Sequence, residues 1–399
     1  MGAGGQWGFE RNVVLLGLTS LLNDVSSEII YPLLPAFLTT VLGGGPAIVG
    51  LIEGVAESTA SLLKLVSGWV SDRTRRRKGL VVGGYALAAV ARPLIALASA
   101  PWQVLVIRFG DRVGKGIRTA PRDALLAESS PQAAWGRSFG LHRAMDHLGA
   151  VIGPLLAFGL MNLLAGDYRA VFAVASIPGA LAVAVVAFGV RERQHPVVAE
   201  ATPIPVPLGQ PVPAGLRRFL VVVFVFTLGN STDAFLLLRA HDLGVMTAHL
   251  PLLWVVLHLV KSATSVPGGA LSDRVGRRRV IIAGWGLYAT VYLGFAAAGT
   301  AAEAWGLFAL YGLFFGLTEG TEKALVADLV GPSDRGVAFG LYHLTVGLAA
   351  FPASVVFGVV WYAYGPRVAF AIGAALAAAA ALLLAGWLRA PQRRGGNDR

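Results

Sequence analysis

The chain has 399 residues, of which 55% are hydrophobic and only 14% charged, and its mean hydropathy is +0.66. Soluble domains carry about a quarter charged residues, so this composition excludes an ordinary soluble globule and describes a chain living largely in lipid. The absence of cysteine excludes disulfides and thiolate metal sites, while the net charge of +11 raises a nucleic-acid partner that the charge distribution argues against.

Apolar runs long enough to cross a bilayer recur along nearly the whole chain. Each crossing needs roughly 20 residues at a rise of about 1.5 Å. No water reaches that depth, so backbone groups must bond within the segment, which continuous helices achieve. In chain order the pattern predicts helices over 11–41, 46–71, 79–100, 102–127, 135–164 and 168–190, then 217–240, 247–271, 279–299, 303–329, 335–363 and 366–389. The 50 glycines and 21 prolines suit membrane helices, where small residues permit close approach. The first run carries Asn23, Asp24 and Glu28 and lacks a small-residue cleavage site, so it is expected to stay as a helix rather than be removed as a signal. Between the sixth and seventh runs, 191–216 holds Arg191, Glu192, Arg193 and the stretch TPIPVPLGQPVP, which resists helix and reads as an extended linker. The expected fold is all-α and polytopic, with twelve transmembrane helices. They form a six-helix bundle over 1–190 and a second over 217–399, joined by the linker.

Basic residues sort by side. Arg73, Arg75, Arg76, Arg77 and Lys78 follow the second run, and Arg191, Arg193, Arg217 and Arg218 flank the linker. Arg274, Arg277, Arg278 and Arg279 follow the eighth, and Arg389, Arg393 and Arg394 close the chain. The opposite loops (GGGPA, ASAPW, AGDYR) carry almost no charge. The positive-inside rule then puts both termini and the linker in the cytoplasm, for a multi-pass protein of the inner membrane. A nucleic-acid binder would gather its charge on one soluble face, so the +11 reflects topology and no nucleic-acid partner is expected.

The chain repeats itself. RDALLAE at 122–128 parallels EKALVAD at 322–328, and Gly136, Phe139, Gly140 and Leu141 match Gly336, Phe339, Gly340 and Leu341 at the same offset, as Gly116 matches Gly316. A constant offset over this many positions indicates duplication, with the linker as the joint.

Between the eighth and ninth runs stands G-A-L-S-D-R-V-G-R-R-R, Gly269 to Arg279; between the second and third stands G-W-V-S-D-R-T-R-R-R-K, Gly68 to Lys78. Gly68 and Gly269 let neighbouring helices close tightly near the surface. Asp72 and Asp273 sit at helix ends, where a carboxylate pairs with arginine or meets a neighbouring helix N-terminus. Such a charge network can latch one conformation and release in another. The pattern resembles the signature loop of the major facilitator superfamily, G-x-L-[AS]-D-R-x-G-R-R, and the resemblance covers the whole chain. The second copy meets it in full through Gly269, Asp273, Arg274, Gly276 and Arg277; the first, with Gly68, Asp72, Arg73 and Arg76, departs at Arg75, where the pattern has glycine. Arg112-Val-Gly-Lys115-Gly116 resembles the R-x-x-Q-G motif of proton-linked members, with Lys115 for glutamine. Gly149-Ala-Val-Ile-Gly153-Pro154 resembles the G-x-x-x-G-P motif of the antiporter subgroups. Family resemblance implies two six-helix bundles around a cavity open alternately to each side, worked by a monomer, and tilts the reading toward an exporter.

Ionisable groups inside spans cost at least roughly 2.5–3.5 kcal/mol each at mid-membrane, so each is a functional candidate. The first half carries Asp24 and Glu28, Glu53 and Glu57, Arg92, then Arg108, Asp111, Arg112, Lys115, Arg118, Arg122 and Asp123, and finally His142, Arg143, Asp146 and His147. The second half is sparser, with Asp233, Arg239, His258, Lys261, Glu319, Glu322, Lys323 and His343. Asp24, Glu28, Glu53, Glu57, Arg92, Arg108, Asp111, Arg112, Lys115 and Asp233 are expected to line the cavity or couple protons. Asp24, Glu28 or Glu57 carries the proton on this reading, with Arg112 as counter-charge; fixed ion pairs among Asp24, Glu57, Arg92 and Arg112 are the competing reading. Arg118, Arg122, Asp123, Glu322, Lys323 and His343 are expected to brace the inner gate, as are His142, Arg143 and Asp146 where they do not line the cavity.

Three classes follow. Proton-coupled efflux of an organic solute is favoured by the two helix motifs and the cavity carboxylates. Uptake of an anionic metabolite is the alternative, on the crowd of Arg92, Arg108, Arg112 and Lys115. A membrane enzyme or receptor is third, and no H-E-x-x-H, G-x-S-x-G or G-x-x-x-x-G-K-[ST] pattern supports it. The expected partners are the lipid bilayer and a small-molecule substrate; no catalytic residue, metal or cofactor is expected, with the proton gradient as energy source.

Overall fold

The computed structural model describes residues 8–34, 37–43, 60, 63–192, 212–231, 233–246 and 249–387. Among these the chain is helical. The helices are α1 (Arg11–Ile30), α2 (63–74), α3 (Arg77–Leu94), α4 (Pro101–Glu128), α5 (Trp135–Leu163) and α6 (Tyr168–Gly189). They continue with α7 (Ala214–Leu228, resuming at Ala234–Asp242), α8 (Leu250–Val275), α9 (Arg277–Ala297), α10 (Ala301–Asp328), α11 (Arg335–Tyr364) and α12 (Pro366–Trp387). Eight stretches of the described residues are long and apolar enough to cross a membrane. Most of the predicted second span, with Glu53 and Glu57, and most of the predicted linker lie outside the described residues.

Two predicted spans and the reading of the arginine motifs as loops differ from what is found. The first helix stops at Ile30, just before Pro32, which lacks a backbone donor, and a short π-helical turn follows at Phe37–Val41. The seventh begins earlier, at Ala214, and breaks across Gly229–Asp233. Glycine, asparagine and serine there are weak helix formers, and the Tyr288 hydroxyl donates to the Gly229 carbonyl at 3.0 Å, satisfying part of the interrupted backbone. The third difference concerns the arginine motifs. What reads as a loop is mostly helix: α8 runs to Val275, α9 starts at Arg277, and Gly276 alone turns the chain at φ +100°. In the first half Arg75 occupies the left-handed region at φ +54°, so the departure from glycine leaves a different, two-residue turn.

Helix ends away from the arginine motifs are capped locally. Thr300 accepts from the Glu303 amide while Glu303 accepts from the Thr300 amide, a reciprocal cap that starts α10. Arg169 donates to the carbonyls of Ala96 and Ala98 after α3, and Arg239 donates to those of Phe295 and Ala298 after α9. Both place a cation on the last carbonyls of a helix.

Within the first half α1 packs on α5 and α6, and α3 on α4; within the second α8 packs on α10, and α9 on α10 and α12. The halves meet through α5 against α8 and α10, and α4 against α11. The seam is made of bare backbone. Gly136 opposes Gly269 and Gly336 opposes Gly68, so close that a Cβ on any of the four would run into the facing carbonyl. Gly140 against Ser265 and Gly340 against Leu65 repeat this contact a turn deeper. Phe139 and Phe339, related by the internal repeat, meet across the seam with centroids 5.7 Å apart and rings tilted by 55°.

Forcing a side chain into such a contact costs about 1–3 kcal/mol. Gly336→Leu is therefore expected to part the halves at the arginine-rich end. In this cysteine-free chain the reporter is Ser272→Cys, whose parent serine is fully buried against Gly136. Its maleimide labelling should speed up roughly fivefold or more in the Gly336→Leu background, the population change that such a cost implies; unchanged labelling would refute the seam's role.

Candidate functional site

The site is a set of charged layers running inward from the arginine-rich end. In the outermost, Asp72 at the end of α2 accepts from the amides of Gly336 (3.0 Å) and Val337 (2.7 Å) at the start of α11. Asp273 does the same for Gly136 (2.9 Å) and Arg137 (2.8 Å) at the start of α5. Each carboxylate thus caps a helix of the opposite half, where free amides and the helix dipole favour negative charge. Arginines hold both in place. Arg277 bridges Asp273 (2.5 Å) and Asp328 (2.6 Å), and Arg77 bridges Asp72 (2.7 Å) and Glu128. Arg77 and Arg277 also reach across to the carbonyls of Pro332 and Gln132. Of the motif arginines, Arg73, Arg76 and Arg274 are exposed, and the arginine that pairs with Asp72 is Arg77. The two-residue turn at Arg75–Arg76 swings Arg76 outward and starts α3 with Arg77 facing in.

A turn or more deeper, Asp123 of α4 is fully buried and meets Lys323 of α10 at 2.7 Å, His343 of α11 at 2.9 Å and Arg122 at 3.0 Å. On the other flank Arg143 of α5 bridges Asp146 (2.7 Å) and Glu319 of α10 (3.2 Å), and His147 meets Glu319 at 2.8 Å. Asp146 also accepts from Ser20 of α1, and His142 lies 3.7 Å from it. Arg118 and Glu322, expected at the gate, stay within their own halves. Arg118 lies over the Tyr85 ring, and Glu322 accepts from Trp285 (2.9 Å) and Tyr342 (2.7 Å).

The interior of the first half separates locked carboxylates from unlocked ones. Asp111 is held by Arg92 (2.9 Å), Arg108 (3.5 Å) and the Tyr31 hydroxyl (2.7 Å), with the Arg108 guanidinium 4.0 Å over the Tyr31 ring. Arg92 is completed by the Asn23 carbonyl and side chain. The competing fixed pairing of Arg92 with Asp24 is not found, because Asp111 takes the guanidinium. Among the described residues the Asp24 carboxylate accepts from Asn23 (2.8 Å) and the Glu28 carboxylate from none, and neither forms an ion pair. Arg112 and Lys115 stand on the same α4 and are engaged. The glycines of α5 allow this arrangement: Gly149 packs on Leu21 and Asp24, Gly153 packs on Glu28, and Pro154 follows within the helix. In the second half Asp233, at the break in α7, accepts from Tyr311 at 2.7 Å.

The sequence shows Glu319, His147, His258 and Lys261 as intramembrane charges but gives them no role, since a pairing such as that of Glu319 with His147 across the seam depends on helix rotations that the sequence does not print. The aromatics Trp285, Tyr288 and Tyr311 are buried packing around the α7 break, together with Tyr292.

Removing one member of a buried ion pair typically costs about 3–5 kcal/mol. Asp123→Ala strands Lys323, Arg122 and His343 together, whereas Lys323→Met leaves Asp123 two partners. Thermal unfolding in detergent should therefore show a clearly larger loss for Asp123→Ala; an equal or smaller loss would mean that Asp123 does not organise the layer.

Residues 16–259 and 219–399 match the sequence profile of the Major Facilitator Superfamily. An MFS-type transporter of Methanocaldococcus jannaschii is 36% identical over 381 residues, 94% of either chain. The multidrug resistance protein MdtH of Photorhabdus laumondii is 29% identical over 143 residues, 36% of this chain and 35% of that one. The crystal structure of the human organic anion transporter TETRAN is similar in fold, with a TM-score of 0.76 at 17% identity over 94% of this chain and 99% of that one. Paired arginine motifs, duplicated helices and a whole-length profile match agree: the chain belongs to the major facilitator superfamily and is a polytopic membrane transporter of the twelve-helix fold.

Proposed function

We propose that this transporter is a proton-coupled exporter of small organic solutes, working by alternating access in the cytoplasmic membrane with both termini inside. The observation that carries the reading is the pair Asp24 and Glu28. They stand one turn apart on one face of α1, against the glycine face of α5, and no cation is paired with them among the described residues. A carboxylate clamped by arginine, as Asp111 is, keeps its charge through a transport cycle; one without a counter-ion is free to take up a proton and release it as its surroundings change.

The halves supply the change of surroundings. Every cross-half hydrogen bond among the described residues lies between the arginine-rich end and the level of Ser262–Ala144 and His147–Glu319. With that end in the cytoplasm, by the positive-inside rule, this is a state closed to the inside, in which Asp24 and Glu28 would exchange protons with the outside. The link between proton and gate runs from α1 through Ser20, Asp146 and Arg143 to Glu319. The partial likeness to a multidrug resistance protein favours efflux. The arginine crowd that motivated anion uptake gives it less support, since Arg92 and Arg108 are committed to Asp111.

The test is a proton-flux assay in proteoliposomes carrying a trapped pH dye, with cationic, neutral and anionic solutes presented in turn. Solute-dependent proton movement is expected in the parent and should fall to background in Asp24→Asn and Glu28→Gln. Everted vesicles made acidic inside should accumulate the solute. Full coupling in both variants would remove these carboxylates from the mechanism, and accumulation only with the opposite gradient would reverse the direction.

A further inference from the structure

Where α5, α8 and α10 meet, two buried cation-forming side chains of α8 lack acceptors. Lys261 is buried, 5% exposed, and its ammonium sits 3.4 Å over the face of the Phe315 ring. Among the described residues it makes neither a hydrogen bond nor an ion pair. The carboxylates electrostatically coupled to it, Asp233 and Glu319, are engaged elsewhere, by Tyr311 and by Arg143 with His147. One turn away His258 is 9% exposed, and both of its ring nitrogens are buried without a partner. Its ring lies between Trp254 (centroids 5.1 Å) and His147 (5.4 Å).

Burial without acceptors is costly for an imidazole and more so for an ammonium, whose three donors a ring face satisfies only in part. Pure packing would be served better by an apolar residue. The two groups lie on one helical face, three residues apart, at the seam that alternating access must open. We infer that Lys261 and His258 form a subsite for the anionic group of an organic solute, with Phe315 and Trp254 as its aromatic walls. A carboxylate, sulfonate or phosphonate would supply the missing acceptors, and a planar apolar body would lie along the rings. The inference rests on the transport reading and narrows its substrate class to organic anions.

The test is thermal unfolding of the purified full-length protein in a neutral detergent. The probes are benzoate, benzenesulfonate and phenylphosphonate, with benzylamine as the cationic control and phosphatidylglycerol as an anionic lipid. The soluble anions should raise Tm in the parent and benzylamine should not. Lys261→Met should weaken the apparent anion affinity about tenfold or more, the usual consequence of losing a charge-assisted contact. The same substitution should raise the ligand-free Tm, because it removes an uncompensated buried charge, and Lys261→Arg should retain the anion response. The inference is overturned if no soluble anion stabilises the parent, if only the lipid does, or if Lys261→Met responds like the parent. It is also overturned if Lys261→Met lowers the ligand-free Tm, which would make the ammonium a structural counter-ion. Solute-dependent proton flux of the parent is read separately, so failure of the anion subsite and failure of proton coupling are told apart.

Discussion

Two carboxylates hold the arginine-rich end together by capping helices that are not their own. Asp72 lends its charge to the N-terminus of α11 and Asp273 to that of α5, each across the seam between the halves. An N-terminal turn offers several unsatisfied amides at one point, so a single carboxylate forms two charge-assisted hydrogen bonds there. The glycines are what allow the approach: with Gly336 and Gly136 lacking side chains, the helix starts sit directly on Gly68 and Gly269. The contact is strong when made and leaves no interlocked side chains when broken. Such a latch suits an interface that must form and part repeatedly, and the deeper layers take their register from it.

Behind the latch, charge is sorted into fixed and free. Asp111, Asp123, Asp146 and Glu319 each have at least one cationic partner, and Asp233 and Glu322 have neutral donors from tyrosine or tryptophan. Against that background, Asp24, with only the neighbouring Asn23 amide, and Glu28, with no donor among the described residues, stand out on α1, as do Lys261, over a ring face, and His258, with both ring nitrogens unpartnered, on α8. Buried charges without partners are expensive enough that a fold retains them only where something else periodically supplies the partner. The two exceptions of α1 fit a proton and the two of α8 fit an anion, which places the proposed coupled species in different halves of the molecule.

How much of this the sequence disclosed depended on whether a feature is local. The helices, the repeat and the arginine motifs are local, and the composition and spacing declare them. Arg77 is harder to single out: which residue of the four consecutive basic ones at 75–78 faces inward depends on the left-handed turn at Arg75, and a single sequence does not print that conformation. The break in α7 was half legible, since Gly229, Asn230 and Ser231 are poor helix formers set in an apolar run, but the tyrosine that secures it lies 59 positions away. Arg92 with Asp111, and Glu319 with His147, are pairings between helices whose relative rotation no periodicity fixes.

The repeat carries one more physical consequence. Near the axis that relates the halves a duplicated residue faces its own copy, as Phe139 faces Phe339, so an acidic residue there would meet an acidic residue. In the layer behind the latch the two copies have diverged in sign: Asp123 faces Lys323, two hundred positions on, at 2.7 Å. Their neighbours have diverged in the same sense, Arg122 against Glu322. Tyr311, the counterpart of Asp111 in the other half, bonds Asp233 much as Tyr31 bonds Asp111, with the two chemistries exchanged. Like charges at that separation in a low-dielectric interior would hold the halves apart. Complementary divergence turns the same geometry into attraction, while the deeper counterparts Asp111 and Tyr311 each bond within their own half. The fold is duplicated, but a seam that closes on buried charge cannot stay symmetric.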